Sequence, residues 1–375
     1  MSEATITRIE VYKLTLPKEP FRISLGTMAQ LENILVRVES SDGLYGLGEG
    51  SPFPFITGET QAIAYEAALA LARLLVGKNP YDIEARVREM DRFLEHNSTA
   101  KSALDIALYD LLAKRAGLPL YALLGGEKHS FYSDETLSLD EPATMARKAR
   151  ALVERGHRMV KAKLGTGYAE DVARVRAIRE AIGPDILLRL DANQGWDPIT
   201  AEAVLRDVAP FGVEFCEQPV ACWNDAAMRR LREVSPIPVM ADESLFDHHD
   251  ALRLASLGAC HYMNIKLSKA GGLYHALQIV AVAEAAGILC MVGCMSETRL
   301  GLSAAAHLVS ARQQIVFADL DGAAGLDDDP VVGGMTYDAG RIELPDGPGH
   351  GADIKPEVLQ RLQGAVVYAP VGDEA

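Results

Sequence analysis

Short apolar runs recur along residues 159–319, and each of them ends in residues that can do chemistry. Successive run ends lie 24 to 28 residues apart, about the length that a strand, a helix and two loops require. The chemically active residues therefore occupy one fixed position of a βα repeat, the C-terminal end of each strand. In order, the runs end at Lys163, Asp191, Glu217, Asp242, Lys266, Cys294 and Asp319.

This repeat predicts a closed barrel of eight strands, because eight strands enclose an interior that side chains can fill. Amphipathic patterns between the strands predict the intervening helices. The C-terminal ends of barrel strands converge on one mouth, where barrel enzymes carry their active sites. We place the strands at about 130–137, 158–163, 186–191, 213–217, 237–242, 261–266, 287–294 and 315–319.

The first part of the chain has a different pattern, in which three strands precede three helices. Alternating or short apolar runs predict the strands 4–16, 34–38 and 44–47, and longer periodic patterns predict the helices 59–76, 80–95 and 99–116. Two segments, 17–29 and 50–58, are predicted to be loops. We therefore expect an α+β domain over residues 1–125, the barrel over 126–325, and a segment 326–375 that returns to the first domain.

Composition narrows the class of protein. A chain of 375 residues with 49% hydrophobic content can bury a large core, and its net charge of −15 disfavours nucleic acid and anionic membranes as partners. The N-terminal residues lack the layout of a signal peptide, and no apolar run approaches the roughly 18 residues of a membrane span. The five cysteines have no metal-binding spacing. We expect a soluble, cytoplasmic protein with reduced thiols.

Three acidic residues end three consecutive strands. Asp191, Glu217 and Asp242 would repel one another strongly if they converged on the mouth without a cation. Because all three offer oxygen ligands, they predict a site for Mg²⁺, or for Mn²⁺. The alternative is that each carboxylate caps the helix that follows it, which is common for Asp and Glu.

Three lysines surround this predicted metal site. Lys161 and Lys163 are separated by one residue, so both point to the same side of strand 2, and Lys266 ends strand 6 across the barrel. Two bases on opposite faces of a substrate could remove a proton beside a carboxylate and return it from the other side, by way of an enediolate. Such a transfer is a racemisation or an epimerisation. The alternative is that these are surface lysines on βα loops.

The ordered set Lys-x-Lys, Asp, Glu, Asp and Lys resembles the muconate-lactonizing subgroup of the enolase superfamily. The resemblance implies a modified (β/α)₇β barrel with an N-terminal α+β capping domain. It also implies that Lys163 and Lys266 exchange the roles of proton donor and acceptor, and that Lys161 stabilises charge. The three carboxylates would bind the Mg²⁺.

The end of strand 8 resembles the Asp-x-Asp motif of the dipeptide epimerases within this subgroup. In those enzymes the two acids, here Asp319 and Asp321, hold the α-ammonium group of the substrate, and Thr136 and Cys294 match further substrate-binding positions. The resemblance implies a dipeptide epimerase that inverts the α-carbon of the C-terminal residue. Homologues of this kind are often homo-oligomers.

One difference from the dipeptide epimerases that act on Ala-Glu concerns the choice of substrate. Epimerases that act on Ala-Glu often carry an arginine in the first capping loop, where this chain has Gly26, and Arg22 lies four residues earlier. We therefore expect a substrate other than Ala-Glu. The second loop offers Phe53, Phe55 and Ile56, which favour an apolar or aromatic C-terminal side chain.

Three alternatives remain open at this point. The chain could be a lyase or cycloisomerase of the same subgroup, similar to o-succinylbenzoate synthase or muconate cycloisomerase, in which only one lysine is a base. It could be an N-acylamino-acid racemase, whose substrates lack a free amine. It could also be a catalytically silent metal-binding barrel, although a scaffold would have no use for two opposed lysines.

Overall fold

The computed structural model describes residues 4–326 and 328–370. Its N-terminal part is an antiparallel sheet followed by helices that pack on one face of it. Apolar side chains of the sheet and the first three helices form one buried cluster there. The elements are β1 (Ile6–Ile23), β2 (Gly26–Ser40), β3 (Tyr45–Gly50), α1 (Gln61–Leu75), α2 (Ile83–Phe93), α3 (Ser98–Ala116) and α4 (Leu120–Leu123).

The predicted loop over residues 17–29 is wrong, because β1 and β2 form one long hairpin across it. Pairing continues from Ile6 opposite Ser40 to Ile23 opposite Gly26, with a register shift between Ile6 and Arg8 and a bulge between Pro17 and Phe21. The prolines are tolerated because a bulge does not need their missing N–H groups. The second predicted loop is confirmed, since residues 51–60 contain no helix or strand.

The following elements build an eight-stranded parallel sheet in which each strand pairs with its neighbours in chain order. Asp134 N lies 3.4 Å from the Ala318 carbonyl oxygen across the remaining gap, so the sheet is a nearly closed barrel. The strands are β5 (Glu135–Leu137), β6 (Met159–Lys163), β7 (Leu187–Asp191), β8 (Val213–Glu217), β9 (Val239–Ala241), β10 (Tyr262–Ile265), β11 (Leu289–Gly293) and β12 (Ile315–Asp319).

Helices surround the barrel and bury their apolar faces against it. They are α5 (Pro142–Glu154), α6 (Tyr168–Ile182), α7 (Pro198–Val208), α8 (Asp225–Val234), α9 (His248–Leu257), α10 (Leu267–Ala270), α11 (Leu273–Ala285) and α12 (Arg299–Ala311), with a 3₁₀ turn at Ala209–Phe211. Among the described residues, no helix combines the length and apolar character that crossing a membrane requires.

The first predicted barrel strand, 130–137, is too long. Its beginning forms a separate strand, β4 (Phe131–Tyr132), which pairs outside the barrel with a strand of the C-terminal segment. The C-terminal elements are β13 (Val331–Gly333), β14 (Thr336–Asp338), β15 (Arg341–Glu343), β16 (Ala352–Ile354), α13 (Pro356–Leu359) and β17 (Gln363–Tyr368). β15 is the partner of β4, and β17 adds to the free edge of β1. The predicted boundaries after residues 125 and 325 stay predictions.

Two carboxylates of the N-terminal part cap helices of the barrel. Glu49 of β3 is buried and accepts hydrogen bonds from Thr298 N at 3.0 Å and Gly301 N at 2.9 Å, at the start of α12. Asp105 of α3 accepts the Leu273 N–H at the start of α11. A carboxyl oxygen at a helix N-terminus accepts backbone N–H groups that have no partner within the helix, so these contacts fix β3 and α3 relative to α12 and α11.

His307 of α12 makes the stability of the fold sensitive to pH. The ring is fully buried, and its Nδ1 accepts the Tyr121 N–H at 3.0 Å. Burial, with the nearby His350, lowers the pKa of His307 to about 3. The unfolded chain takes up a proton near the ordinary pKa of about 6.5, so stability is expected to fall as the pH drops from there towards 3. Urea midpoints at pH 7.5 and 5.0 should decline less in His307→Gln, and equal declines in both proteins would contradict this assignment.

Candidate active site

Three acidic residues meet where the middle strands of the barrel end. In the strand register Lys163 lies beside Asp191 and Asp191 lies beside Glu217, while Asp242 follows β9 directly. All three carboxylates are fully buried, and each offers an oxygen within 4.8 Å of the other two. The alternation of each strand therefore brings the predicted acidic residues together at the mouth, instead of leaving them as separate helix caps.

The surroundings of this triad fit a divalent cation with oxygen ligands. Among the described residues no group donates a hydrogen bond to Asn193 Oδ1 or Glu243 Oε2, two buried oxygens next to the triad. Burial, together with repulsion from Asp191, raises the pKa of Glu217 to about 7, and burial with repulsion from Asp242 raises that of Glu243 to about 8. So much buried acid, with oxygens left without donors, is the environment that a hard cation stabilises.

The three predicted lysines converge on the same carboxylates. Lys161 Nζ lies 2.6 Å from Glu217, 2.7 Å from Asp319 and 3.2 Å from Asp191. Burial alone would lower the pKa of Lys161, but these carboxylates outweigh it and hold the pKa well above its usual value.

The two lysines proposed as bases stand on opposite sides of this centre. Lys163 Nζ lies 2.6 Å from Asp191 Oδ2, and Lys266 Nζ lies 2.8 Å from Asp242 Oδ2. Their strands, β6 and β10, are four apart in the eight-stranded order, so the lysines approach from opposite walls. Burial opposes the charge of Lys266, yet Asp242 and Glu217 raise its pKa.

Sequence reasoning missed several residues of this centre. Lys269 is buried in α10 and contacts both the side chain and the backbone oxygen of Asp242. Asn264 Nδ2 donates to Glu217 Oε1 at 2.5 Å.

The acid pair of the last strand lies at the edge of the same centre. Asp319 is buried and bonded to Lys161, whereas Asp321 is partly exposed and accepts the Thr136 N–H at 2.7 Å. Burial and repulsion from Asp319 raise the pKa of Asp321. Cys294 Sγ lies 3.8 Å from Asp321 Oδ1. The structure thus brings together Thr136, Cys294, Asp319 and Asp321, although only Asp321 has a carboxylate open to the cavity described below.

The β1–β2 hairpin lies across the mouth and is fastened to the barrel at several points. The backbone N–H of Arg22 donates to Ser138 Oγ at 2.8 Å, and Ser24 Oγ donates to the carbonyl oxygens of Ala192 and Asn193 at 3.0 and 2.8 Å. On the other side, Lys18 Nζ donates to Ser296 Oγ at 3.2 Å. The hairpin therefore covers the site between the loops that follow the first, third and seventh barrel strands.

Under the hairpin is a cavity of about 360 Å³ that opens beside Asp321 and Thr136. Phe21 lines it, with its ring centroid 5.9 Å from Lys163 Nζ and 5.4 Å from Lys18 Nζ. Phe21 was not predicted as a site residue. Leu137, Leu152 and Met295 give the cavity apolar walls, and charged residues including Glu19, Lys148 and Arg155 lie around it.

The structure places the predicted specificity residues in different environments. Arg22 is exposed, on the opposite side of its strand from Phe21. Gly26 lies against Phe55, so that a Cβ at Gly26 would come within 2.6 Å of the Phe55 ring. Phe55 packs edge-on against the buried Phe53, with ring centroids 5.7 Å apart. Ile56 follows in the same loop, half buried.

Comparison with known proteins gives matches over nearly the whole chain. The model described as the N-terminal domain of mandelate racemase / muconate lactonizing enzyme matches residues 6–125, and the model described as enolase C-terminal domain-like matches 144–358. A hydrophobic dipeptide epimerase of Enterococcus faecalis is 45% identical over 86% of this chain and 91% of its own length.

Two solved structures are similar along their whole length. The dipeptide epimerase from Cytophaga hutchinsonii, complexed with Mg and D-Ala-L-Val, superposes with a TM-score of 0.95 at 41% identity and covers 97% of this chain and 100% of its own. The dipeptide epimerase from Enterococcus faecalis, complexed with Mg and L-Leu-L-Tyr, gives a TM-score of 0.91 at 43% identity over 93% of this chain and 99% of its own.

Proposed function

This chain belongs to the mandelate racemase and muconate lactonizing enzyme family of the enolase superfamily, and we propose that it acts as a dipeptide epimerase. The reaction would be a 1,1-proton transfer that inverts the α-carbon of the C-terminal residue. The observation that carries the proposal is the joint position of Lys163 and Lys266 on opposite walls, the acidic triad between them, and Asp321 at the cavity edge.

The two lysines would divide the proton transfer between them. One removes the α-proton while the other, as an ammonium group, delivers a proton to the opposite face, and the roles exchange for the other diastereomer. Lys161, held among Glu217, Asp191 and Asp319, would stabilise the negative charge that develops on the substrate carboxylate. The scheme requires one lysine of the pair to be neutral, which positive charge nearby favours.

We propose that Asp191, Glu217 and Asp242 hold Mg²⁺, with Mn²⁺ as an alternative ion. The ion would supply positive charge to the substrate carboxylate and so make the α-proton more acidic. Asn193 Oδ1 and Glu243 Oε2, which are buried and have no donor in the described part of the chain, support a cation at this place.

The acid pair supports a substrate that carries a free ammonium group. Asp321 lines the cavity. Its Oδ2 accepts the Thr136 N–H, and its Oδ1 has only the Cys294 sulfur, at 3.8 Å, as a hydrogen-bond partner among the described residues. A partly buried carboxylate of this kind is well placed to accept an ammonium group. A lyase of the same family that acts on a dicarboxylate would meet repulsion here, which disfavours that alternative.

Substituting asparagine for Asp321 tests the substrate class. We expect kcat/KM for a dipeptide to fall about 10- to 100-fold, since a charge-assisted hydrogen bond is lost, while the rate with the matching N-acetyl dipeptide should change little. Asp321 is the better position than Asp319, because Asp319 also holds Lys161. Equal effects on both substrates would favour the N-acylamino-acid racemase instead.

Apolar side chains are the proposed preference at both substrate residues. An arginine at Gly26 would have to displace the Phe55 ring, which a Cβ there would approach to 2.6 Å. The cavity beside Asp321 has walls of Leu137, Leu152 and Met295. The Enterococcus faecalis relative, named for hydrophobic dipeptides, supports the same class. Initial rates with Leu-Leu and Leu-Glu should differ by at least about 10-fold in favour of Leu-Leu.

Cellular location and assembly are also proposals. All five cysteines are free thiols, four of them buried, which favours a reducing, cytoplasmic compartment. We propose a homo-oligomer because large apolar side chains such as Trp223, which is 79% exposed, are otherwise left in water. Light scattering of the purified protein would give the subunit number.

A further inference from the structure

The turn after Lys163 is held in an unusual backbone conformation. β6 ends at Lys163, Leu164 N donates to the Asp191 carbonyl oxygen at 2.8 Å, and α6 begins at Tyr168. Between them Gly165 and Gly167 have φ angles of +104° and +143°, values that favour glycine. Because the turn starts one residue after Lys163, its geometry fixes the position of the Lys163 backbone at the end of β6.

One carboxylate organises this whole turn. Asp171, fully buried in the first turn of α6, accepts the N–H groups of Gly165, Thr166 and Gly167 on a single oxygen, Oδ2, at 3.0, 3.0 and 3.1 Å. Its other oxygen accepts Arg174 Nη1 at 2.7 Å. Three consecutive backbone donors are therefore satisfied by one side chain that does not reach the cavity.

The same oxygen connects this turn to the loop that follows Asp191, one of the three acidic residues. Trp196 Nε1 donates to Asp171 Oδ2 at 2.8 Å, from the loop that begins at Asp191. The two loops also touch through glycines, since a Cβ on Gly195 would meet the Gly165 Cα at 2.5 Å. Asp171 therefore holds the turn after Lys163 against the part of this loop around Trp196.

The base on the opposite wall is held by different contacts. The carbonyl oxygen of Lys266 accepts the N–H groups of Lys269 and Ala270 at the start of α10, and Lys266 Nζ binds Asp242. Asp171 has no hydrogen bond to any of these residues within the described part of the chain. A disturbance at Asp171 should therefore reach one of the two lysines and spare the other.

We infer that Asp171 is a positioning residue for Lys163 and that it supports proton transfer on one face of the substrate only. This inference rests on the proposed two-lysine reaction. A carboxamide cannot reproduce the arrangement, because its NH₂ group would face either Arg174 or the converging N–H donors. Asp171→Asn should consequently displace the turn while the barrel stays folded.

The test compares α-proton exchange of the two diastereomers of one apolar dipeptide in D₂O with Mg²⁺. In Asp171→Asn, exchange of the diastereomer whose proton faces Lys163 should fall about 10- to 100-fold, as for a misplaced catalytic group. Exchange of the other diastereomer, through Lys266, should change less than about threefold and proceed without inversion. Equal losses for both would overturn the inference.

A matched control exists in the turn after β9, the fifth strand of the barrel. Asp250 also lies in the first turn of its helix, accepts a backbone N–H, from Phe246 at 2.9 Å, and pairs with an arginine three residues later, Arg253. Its turn carries no proposed base. Asp250→Asn should affect both diastereomers equally or neither, and an asymmetric effect there would contradict the assignment to Asp171.

A second readout does not depend on the dipeptide reaction. Brief acetylation followed by peptide mapping measures the labelling of Lys163 relative to Lys266, and this ratio should change several-fold in Asp171→Asn but stay constant in Asp250→Asn. If the wild type exchanges no dipeptide, the proposed function fails while this ratio still decides the inference. Should Asp171→Asn not fold, Trp196→Phe removes one donor to Asp171 and should shift the ratio the same way; an unchanged ratio would refute it.

Discussion

Replacing Lys266 with alanine is expected to lower kcat for epimerisation by at least about 10²-fold, because a general acid-base group contributes about 10² to 10⁴. The variant should lose inversion but keep α-proton exchange on the face of Lys163. Lys163 remains in place 2.6 Å from Asp191, so the diastereomer whose α-proton faces Lys163 should still exchange that proton with D₂O. Proton NMR of both diastereomers separates inversion from exchange.

The control for this experiment is an exposed lysine away from the mouth. Lys128 pairs with the exposed Asp346, and Lys128→Ala should leave both processes unchanged. Substantial inversion by Lys266→Ala would contradict the two-base scheme. Full exchange of both diastereomers in Lys266→Ala would mean that a group other than Lys266 removes the proton on that face.

Replacing Glu217 with glutamine is expected to weaken Mg²⁺ binding by at least about 100-fold, since even residues that only orient metal ligands contribute 10- to 100-fold. The change removes one charge from the triad and disturbs the contact with Lys161 at 2.6 Å. Isothermal titration with MgCl₂ measures this affinity without any substrate. Epimerisation at a fixed, low Mg²⁺ concentration should fall in parallel.

A matched variant lies on the same strand. Glu214 of β8 binds Arg189 Nε at 2.7 Å and is not part of the acidic triad. Glu214→Gln should retain the wild-type affinity for Mg²⁺. An unchanged affinity in Glu217→Gln would remove Glu217 from the metal site.

The barrel and most of its site could be predicted from the sequence because both follow from a repeat. Buried parallel strands are short continuous apolar runs, so each run and the charge at its end are visible at regular intervals. Asp191, Glu217 and Lys266 each mark such an end, and the structure brings them together. Strand order follows from the repeat as well, since each strand pairs with the next.

The hairpin over the mouth could not be predicted in the same way. Residues 17–29 contain two prolines and Gly26, which are typical of loops, and their side chains face water and the cavity more than a core. Apolar alternation is therefore weak there, although backbone pairing continues. Phe21 was overlooked for this reason, since its environment is created by a barrel lysine far away in the sequence.

Residues outside the repeat were also missed. Asp134 precedes the first barrel strand and accepts a hydrogen bond from Arg189 Nη1 at 2.8 Å. The predicted strand 130–137 contains Asp134, but nothing in its pattern indicated this ion pair. Asp171 lies inside a helix, where an acidic residue in the first turn usually indicates only a favourable helix end. Its four converging donors come from two loops and are visible only in three dimensions.

The most direct test of the central claim is proton NMR of the purified protein in D₂O with Mg²⁺ and a set of L,L-dipeptides with apolar C-terminal residues. We expect the α-proton signal of the C-terminal residue to disappear while the L,D diastereomer accumulates with deuterium at that carbon. Absence of exchange for every dipeptide, with turnover of a succinylated amino acid or an unsaturated dicarboxylate instead, would contradict it.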